Sequence, residues 1–426
     1  MSVHYPVSSH VLPNGLNVLI SEDHLVPEVS INIGVDVGSR HEIPGQTGLA
    51  HLFEHLMFEG SQNVAEGEHF AELMGHGGRL NATTSFDRTT YFESVPSGAA
   101  ELSLWMEADR HTRLLPALTQ ANVDNQRDVV VEEKRQRYDN QPYGDALEAM
   151  CAVTFPADHP YHHTPIGSME DLHAASLDTV RDFYSAHYQR SSTFLTMVGD
   201  LTPEQGLAWA NTYFGDAPTT VKAAQPTRTP ALPPLTSPTH REMIGEVPSD
   251  RLYACFRLPE ITDPGYLACT LALDLLGGLA SCALDRTLVR RDQIAVDCGA
   301  AGLGLVDGTS LAYVVIDVEE TSTIEAVDEA LCVQLRELGE DPARPELIEA
   351  VTAGAQRSWL EALASIEERA DIMGRAMMTH GDPEYLNTYL DRVRAVSADD
   401  IRAAARRYLA PESRATLAYR RAGRAA

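Results

Sequence analysis

This chain of 426 residues is poor in basic residues, poor in cysteine and without a long apolar run. Its 33 Lys and Arg against 61 Asp and Glu give a formal net charge of −28, which argues against nucleic acid or an anionic membrane as the main partner. The N-terminal residues MSVHYPVSSHVLPNGLNVLI lack a basic segment followed by an apolar one, so we expect no signal peptide. No stretch of 18 or more apolar residues exists, so we expect no transmembrane helix.

The six cysteines form no Cys-x-x-Cys pair, and five of them fall in the second half of the chain. This usage is typical of buried free thiols in a reducing compartment. We therefore expect a cytoplasmic protein without disulfides.

A proline-rich stretch divides the chain into two halves of ordinary domain size. Residues 218–238, PTTVKAAQPTRTPALPPLTSP, read as an extended linker between an N-terminal domain (1–217) and a C-terminal domain (239–426). SLDTVRDFYSAHYQRSSTFLTMVGD from Ser176 resembles SADDIRAAARRYLAPESRATLAYRR from Ser397, each a capped helix followed by a strand. An internal duplication is the simplest account, and it predicts two related α/β-sandwich domains of the α+β class.

The string TGLAHLFEHLMFEG carries the strongest chemical signal in the first half. On a helix, His55 lies about 40° from His51 and Glu54 about 60° from His51 on the other flank. Two imidazoles at this spacing can bind one Zn²⁺, and a carboxylate beside them can take a proton from water. A third ligand is needed, and a later helix offers Glu132 and Glu133, which point about 100° apart so that only one can face the metal. A solvated acidic pair is the alternative interpretation of these two residues.

These residues resemble the insulinase, pitrilysin and mitochondrial processing peptidase family of inverzincin zinc endopeptidases. The order His-x-x-Glu-His, the string RDVVVEEKRQ at the family's spacing, and the blocks GGRLNATTSFDRTTYFESVP and HPYHHTPIGSMEDL carry the resemblance. It implies one Zn²⁺ per chain held by His51, His55 and Glu133, with Glu54 as the general base. The supporting family Glu, one heptad before Glu133, is replaced by Gln126, which could still hydrogen-bond the site.

The resemblance also makes expectations about the substrate and the partner. It implies that Asn81 and Ala82 lie on an exposed edge strand that binds the peptide as an added β-strand, although Asn81 also suits a turn after Gly77-Gly78. The second half has no His-x-x-Glu-His. The family's substrate-binding Arg and Tyr positions hold Val289 and Val296, whose side chains donate no hydrogen bond. The adjacent Arg290 and Arg291 could replace the Arg, but no tyrosine matches the Tyr.

We therefore expect a zinc endopeptidase acting on unfolded peptides, as the catalytic subunit of a heterodimer whose zinc-less homologous subunit supplies the Arg and Tyr. A homodimeric peptidase and a non-catalytic scaffold subunit are the alternatives.

Overall fold

A computed structural model of the chain describes residues 4–216, 228–279, 281–340 and 344–423. The chain forms two compact units, each built from three stretches of sequence. Unit 1 consists of Met1–Lys134, Thr164–Thr227 and Trp359–Tyr389, and unit 2 consists of Arg135–His163, Arg228–Ser358 and Leu390–Ala426.

The regular elements of the described residues are numbered in chain order. The strands are β1 Ser8–Val11, β2 Asn17–Glu22, β3 Glu28–Val35, β4 Arg79–Thr84, β5 Thr89–Pro96, β6 Thr193–Gly199, β7 Thr239–Gly245, β8 Arg251–Pro259, β9 Ala295–Leu303, β10 Thr309–Val318 and β11 Ala415–Arg421. The α-helices are α1 Leu49–Leu56, α2 Glu68–Gly75, α3 Ala100–Arg113, α4 Gln120–Lys134, α5 Ala146–Thr154, α6 Met169–Ala174, α7 Leu177–His187, α8 Pro203–Phe214, α9 Tyr266–Leu273, α10 Ile324–Glu340, α11 Pro345–Ala364, α12 Ile366–His380, α13 Tyr385–Ala395 and α14 Ala398–Tyr408. Segments of π-helix cover Arg135–Asp139, Asp274–Gly278 and Asp285–Arg291, and 3₁₀ turns cover Ser39–His41, Ser97–Ala99, Pro160–His162, Arg190–Ser192 and Pro411–Ser413.

The two sheets of the described residues have the same topology. Unit 1 has the strand order β1-β2-β6-β3-β5-β4, and unit 2 has the order β7-β11-β8-β10-β9. In each sheet the first two equivalent strands, β2 and β6 or β7 and β11, pair in parallel, and the other neighbours pair antiparallel. Apart from the additional β1, β2 to β6 therefore correspond one by one to β7 to β11. The predicted duplication and α+β class are confirmed.

In unit 1, helices cover both faces of the sheet because its strands alternate apolar residues between the two faces. Val18 and Ile20 belong to one apolar core with α3 and α8, whereas Leu19 belongs to a second core with α12. Two ion pairs strengthen the packing of α12 in this unit. Arg88 binds Asp371 at 2.5 Å, and Arg369 binds Asp23 at 2.6 Å. Helix α12 comes from the second half of the sequence, yet it belongs to the unit formed mainly by the first half.

Unit 2 shows the reciprocal arrangement with α5, a helix of the first half. Helix α5 contacts β8 and β11, the strands that correspond to β3 and β6. At its C-terminal end the Thr154 carbonyl accepts a hydrogen bond from Arg257 Nε at 2.7 Å, and at its N-terminal end Asp145 accepts one from Tyr419 at 2.6 Å. The duplicated units have thus exchanged one helix each.

This exchange makes the compact units differ from the contiguous domains 1–217 and 239–426 that the sequence predicts. Residues 135–163 and 359–389 belong to the unit formed mainly by the other half. Of the predicted linker, residues 218–227 lie outside the described residues, and 228–238 form neither helix nor strand.

Two further expectations concern the thiols and the membrane. Five of the six cysteines are buried and Cys298 is half-buried, all as free thiols, as predicted. Among the described helices, none combines the length and apolar character that a membrane span requires.

Candidate metal centre

Helix α1 is held firmly at its first turn, which sets the direction of its side chains. Gly48 precedes the helix at φ 90°, and a Cβ atom there would lie 2.9 Å from the Ile166 carbonyl. The Glu42 carboxylate accepts hydrogen bonds from the backbone N–H groups of Gly48 and Ala50 at 2.9 and 2.8 Å. A carboxylate at this end is also favoured by the helix dipole. Leu52, Phe53 and Leu56 anchor the buried face of the helix, so His51, Glu54 and His55 point away from it.

Helix α4 brings the third candidate ligand to α1. Val123 and Val130 are its fully buried residues and lie one heptad apart. Gln126 and Glu133 have the same spacing and are half-buried, whereas Glu132 is exposed. The structure therefore brings Glu133, not Glu132, to the two imidazoles.

Three ligand atoms converge between these helices. Glu133 Oε2 lies 3.3 Å from His55 Nε2 and 3.7 Å from His51 Nε2, and all three ligand atoms lie within 4.8 Å of one another. Zinc bonds of about 2.0–2.2 Å in a tetrahedron place ligand atoms about 3.4 Å apart. The observed spacings and the His, His, Glu donor set both fit Zn²⁺ with one position left open.

The electrostatic environment of His55 suits a cation. Burial lowers the pKa of His55, but hydrogen bonding to Glu133 and the charges of Glu54 and Glu133 raise it above its usual value. The same negative charge that attracts a proton attracts a metal ion. A proton and zinc therefore compete for this imidazole.

Glu54 lies beside the three ligands and is oriented by the edge strand. Thr84, at the end of β4, donates a hydrogen bond from Oγ1 to Glu54 Oε2 at 2.6 Å. Asn81 and Ala82 lie on the same strand, where Asn81 is exposed and Ala82 is buried. Because β4 is the last strand of its sheet and pairs only with β5 among the described strands, Asn81 belongs to an edge strand and not to a turn.

A cleft of about 400 Å³ opens beside the ligands. Its walls combine acidic and amide groups near the ligands with two aromatic rings, Phe58 and Phe70, whose centroids are 4.9 Å apart. The lining residues are Glu54, His55, Phe58, Glu59, Glu66, Gly67, Phe70, Asn81 and Gln126. The cleft therefore joins one candidate ligand, His55, with the candidate base Glu54 and the edge strand.

A second cluster with ligand-type side chains lies in unit 1, but it is a buried ion network. His69 Nε2 lies 3.5 Å from Glu93 and 3.3 Å from Glu107, and all three residues are buried. The guanidinium of Arg110 binds both carboxylate oxygens of Glu107. A cation held by Glu107 would lie against this guanidinium, so the cluster does not suit a metal ion.

The sequence-based reasoning missed two residues of this site, Thr84 and Glu59. Glu59 accepts a hydrogen bond from Gln126 Nε2 at 2.5 Å, and Gln126 Oε1 lies 3.2 Å from His55 Nδ1. Glu59 gave no local signal, because it lies in the turn after α1 and its partner Gln126 lies on α4. Thr84 gave no local signal, because its contact with Glu54 depends on how β4 packs against α1.

The second half contains no equivalent centre among its described residues. Helix α9 corresponds to α1, and its sequence YLACTLAL has no His, Asp or Glu. Val296 is 58% exposed on β9, and Val289 lies in the π-helical segment Asp285–Arg291. The neighbouring Arg290 pairs with Asp285 at 2.6 Å.

Comparison with known families gives two adjacent matches. Residues 17–163 match the family described as insulinase (peptidase family M16), and residues 174–354 match the peptidase M16 inactive domain. Together these matches cover most of the chain.

Individual relatives match about half of the chain at 28–33% identity. Zinc protease PqqE of Helicobacter pylori is 33% identical over 207 residues, which are 48% of this chain and 46% of that protein. The mitochondrial-processing peptidase subunit beta of Saccharomyces cerevisiae is 28% identical over 215 residues, which are 49% of this chain and 44% of that protein. The chain thus matches less than half the length of each of these relatives. Among solved structures, a protease from Helicobacter pylori has a TM-score of 0.91 at 24% identity and covers 98% of this chain and 100% of its own.

Proposed function

Because the chain belongs to the insulinase family of peptidases, M16, we propose that it is a zinc-dependent endopeptidase that hydrolyses unfolded polypeptides. One observation carries this proposal. The ligand atoms of His51, His55 and Glu133 converge beside Glu54, and the cleft at this point is also lined by Asn81 of the edge strand. One proposed ligand, the proposed base and the edge strand proposed to bind the peptide thus line one cleft.

The residues divide the chemistry among them. His51, His55 and Glu133 would hold one zinc ion, which supplies a Lewis acid that polarises the peptide carbonyl and lowers the pKa of water. Glu54 takes the proton from the attacking water and passes it to the leaving amine. The hydrogen bond from Thr84 leaves the carboxylate oriented for this transfer. Asn81 and Ala82 place the substrate through main-chain hydrogen bonds along β4, which gives affinity with little dependence on sequence.

The test combines metal analysis with peptide cleavage. We expect about one zinc per chain, and Glu54→Gln should keep that zinc while lowering turnover by about 10²–10⁴-fold, because it removes a general base and no ligand. Glu133→Gln should lose zinc as well as activity. The exposed neighbour Glu132→Gln is the matched control and should change neither. Full turnover by Glu54→Gln would contradict the assignment of the base.

We further propose that the chain acts as the catalytic subunit of a heterodimer. Val289 and Val296 occupy the positions where the family carries the Arg and Tyr that bind the substrate carbonyl, and a valine side chain cannot donate those hydrogen bonds. A zinc-less homologous subunit would supply them.

Peptide cleavage with and without such a subunit tests the partner. We expect weak turnover by the zinc-loaded chain alone and a strong gain when a homologous subunit carrying the Arg and Tyr is added. Full turnover by the lone chain, measured with its oligomeric state, would favour a homodimeric peptidase. Zinc binding without turnover in any combination would favour a scaffold subunit. The cytoplasmic location stays a prediction, which fractionation of the source cells would test.

A further inference from the structure

We propose that Glu59, acting through Gln126, is a positioning residue that fixes His55 in the tautomer able to bind metal. This inference rests on the proposed function, since it concerns the same zinc ligand. It assigns to Glu59 the carboxylate role that the family places one hydrogen bond closer to the metal ligand, at the position held here by Gln126.

A continuous series of hydrogen bonds links a backbone amide to His55. The backbone N–H of Thr119 donates to Asn122 Oδ1 at 3.0 Å, and Asn122 Nδ2 donates to Glu59 Oε2 at 2.7 Å. The other oxygen of Glu59 accepts from Gln126 Nε2 at 2.5 Å, and Gln126 Oε1 lies 3.2 Å from His55 Nδ1. The side chains of Glu59, Asn122, Gln126 and His55 are all half-buried, so bulk water competes only in part for these contacts.

The donor and acceptor roles of each group in this series are fixed by the group before it. A backbone N–H can only donate, so Asn122 turns its oxygen to Thr119 and its NH₂ to Glu59. An ionised carboxylate can only accept, so Gln126 must turn its NH₂ to Glu59 and its oxygen to His55. When a metal ion takes the place of the proton between His55 Nε2 and Glu133 Oε2, which lie 3.3 Å apart, His55 keeps its other proton on Nδ1, where the Gln126 oxygen accepts it.

Without the Glu59 carboxylate, no acceptor fixes which end of the Gln126 amide faces His55. An amide can present either its oxygen or its NH₂ to an imidazole, and the flipped orientation would favour a proton on His55 Nε2. That tautomer cannot bind zinc through Nε2. Partners that orient a ligating histidine typically contribute about 10- to 100-fold in metal affinity, so the effect is measurable.

The experiment measures zinc affinity by chelator competition in the parent chain and four variants. Glu59→Gln should weaken zinc binding by about 10- to 100-fold. Gln126→Glu should weaken it comparably, because two carboxylates would then meet at the 2.5 Å contact. The double variant Glu59→Gln with Gln126→Glu moves the charge next to His55 and should return the affinity to within about threefold of the parent chain.

The matched control is Glu66→Gln, which removes one negative charge from the same cleft. It should leave zinc affinity nearly unchanged, so that a general loss of negative potential is separated from a loss of orientation. Unchanged affinity in Glu59→Gln, or losses that add in the double variant, would overturn the proposal. Peptide cleavage is not a readout here, so a chain that binds zinc without cleaving peptides still tests the series.

Discussion

His41 is half-buried next to a second imidazole and is held as a neutral hydrogen-bond acceptor. Its Nδ1 accepts the backbone N–H of Gly38 at 3.2 Å, and the ring of His187 lies 5.5 Å away. Burial, with the charges of Arg40 and His187, lowers the pKa of His41 to about 3. A proton on Nδ1 would break the accepted bond and place a second positive charge near Arg40.

This depressed pKa gives a stability prediction with a definite sign. The unfolded chain binds a proton at His41 near pH 6.5, whereas the folded chain binds it only near pH 3. The contribution is therefore complete above pH 6.5 and is lost as the pH falls below that value, by about 2 kcal/mol at pH 5. His41→Asn keeps an acceptor at the same place and removes the titration. Urea unfolding of the zinc-free proteins at pH 7 and pH 5 should show a smaller loss in the variant; equal losses would show that His41 does not titrate as described.

At the scale of single residues, the sequence alone identified the candidate site residues whose spacing along the chain is fixed by the zinc chemistry. Helical spacing predicted that His51 and His55 point the same way, and the resemblance selected Glu133, which the structure places at the imidazoles while Glu132 is exposed. Glu59 could not be assigned, because its partner Gln126 lies on α4, far away in the sequence. Only the packing of α1 against α4 brings Glu59, in the turn after α1, to Gln126.

Helices that correspond in the two units begin in the same way. Ser176 caps α7 by accepting the N–H of Thr179 at 3.2 Å, and Ser397 caps α14 by accepting that of Asp400 at 3.2 Å. Both caps were predicted from the sequence, since serine before a helix supplies an acceptor for an otherwise unpaired N–H. Local signals of this kind survive duplication because they depend on neighbours in the chain.

The exchange of α5 and α12 between the units could not be predicted from such local signals. The amphipathic pattern of a helix predicts that the helix covers an apolar face. Because the two duplicated sheets offer faces of similar character, the pattern does not select between them. Leu19 and Val198 of one sheet are covered by Ile366 and Met373 of α12, a pairing that spans most of the chain. Nothing in the sequence near any of these residues selects it.

The packing of α12 on the unit 1 sheet gives a prediction at the scale of an element. Met373 is fully buried in this contact, and Met373→Ala should lower the free energy of unfolding by about 2–5 kcal/mol, because it leaves a cavity. Met74→Ala is the matched control, since Met74 is 62% exposed on α2 and its loss should cost less than about 0.5 kcal/mol. Chemical unfolding followed by circular dichroism measures both. Similar small losses would show that α12 does not pack on the sheet as described.

For the whole molecule, the exchanged helices make each half of the sequence an incomplete folding unit. Residues 1–217 contain the entire unit 1 sheet and all the proposed zinc ligands, but they lack α12. A half chain would expose the apolar face that includes Leu19 and Val198. Contiguous halves of a duplicated chain are often treated as separable domains, and here the packing predicts that they are not.

Expression of the halves tests this dependence directly. Residues 1–217 alone should be poorly soluble or should unfold without cooperativity, whereas joining residues 359–389 to them through a flexible linker should restore a cooperative transition, because α12 again covers the sheet. The matched control joins α10, Ile324–Glu340, a helix of similar length that belongs to unit 2, and it should not restore folding. Gel filtration and thermal unfolding measure the outcome. If residues 1–217 alone unfold cooperatively as a stable monomer, then α12 is dispensable and the two halves of the sequence are independent domains.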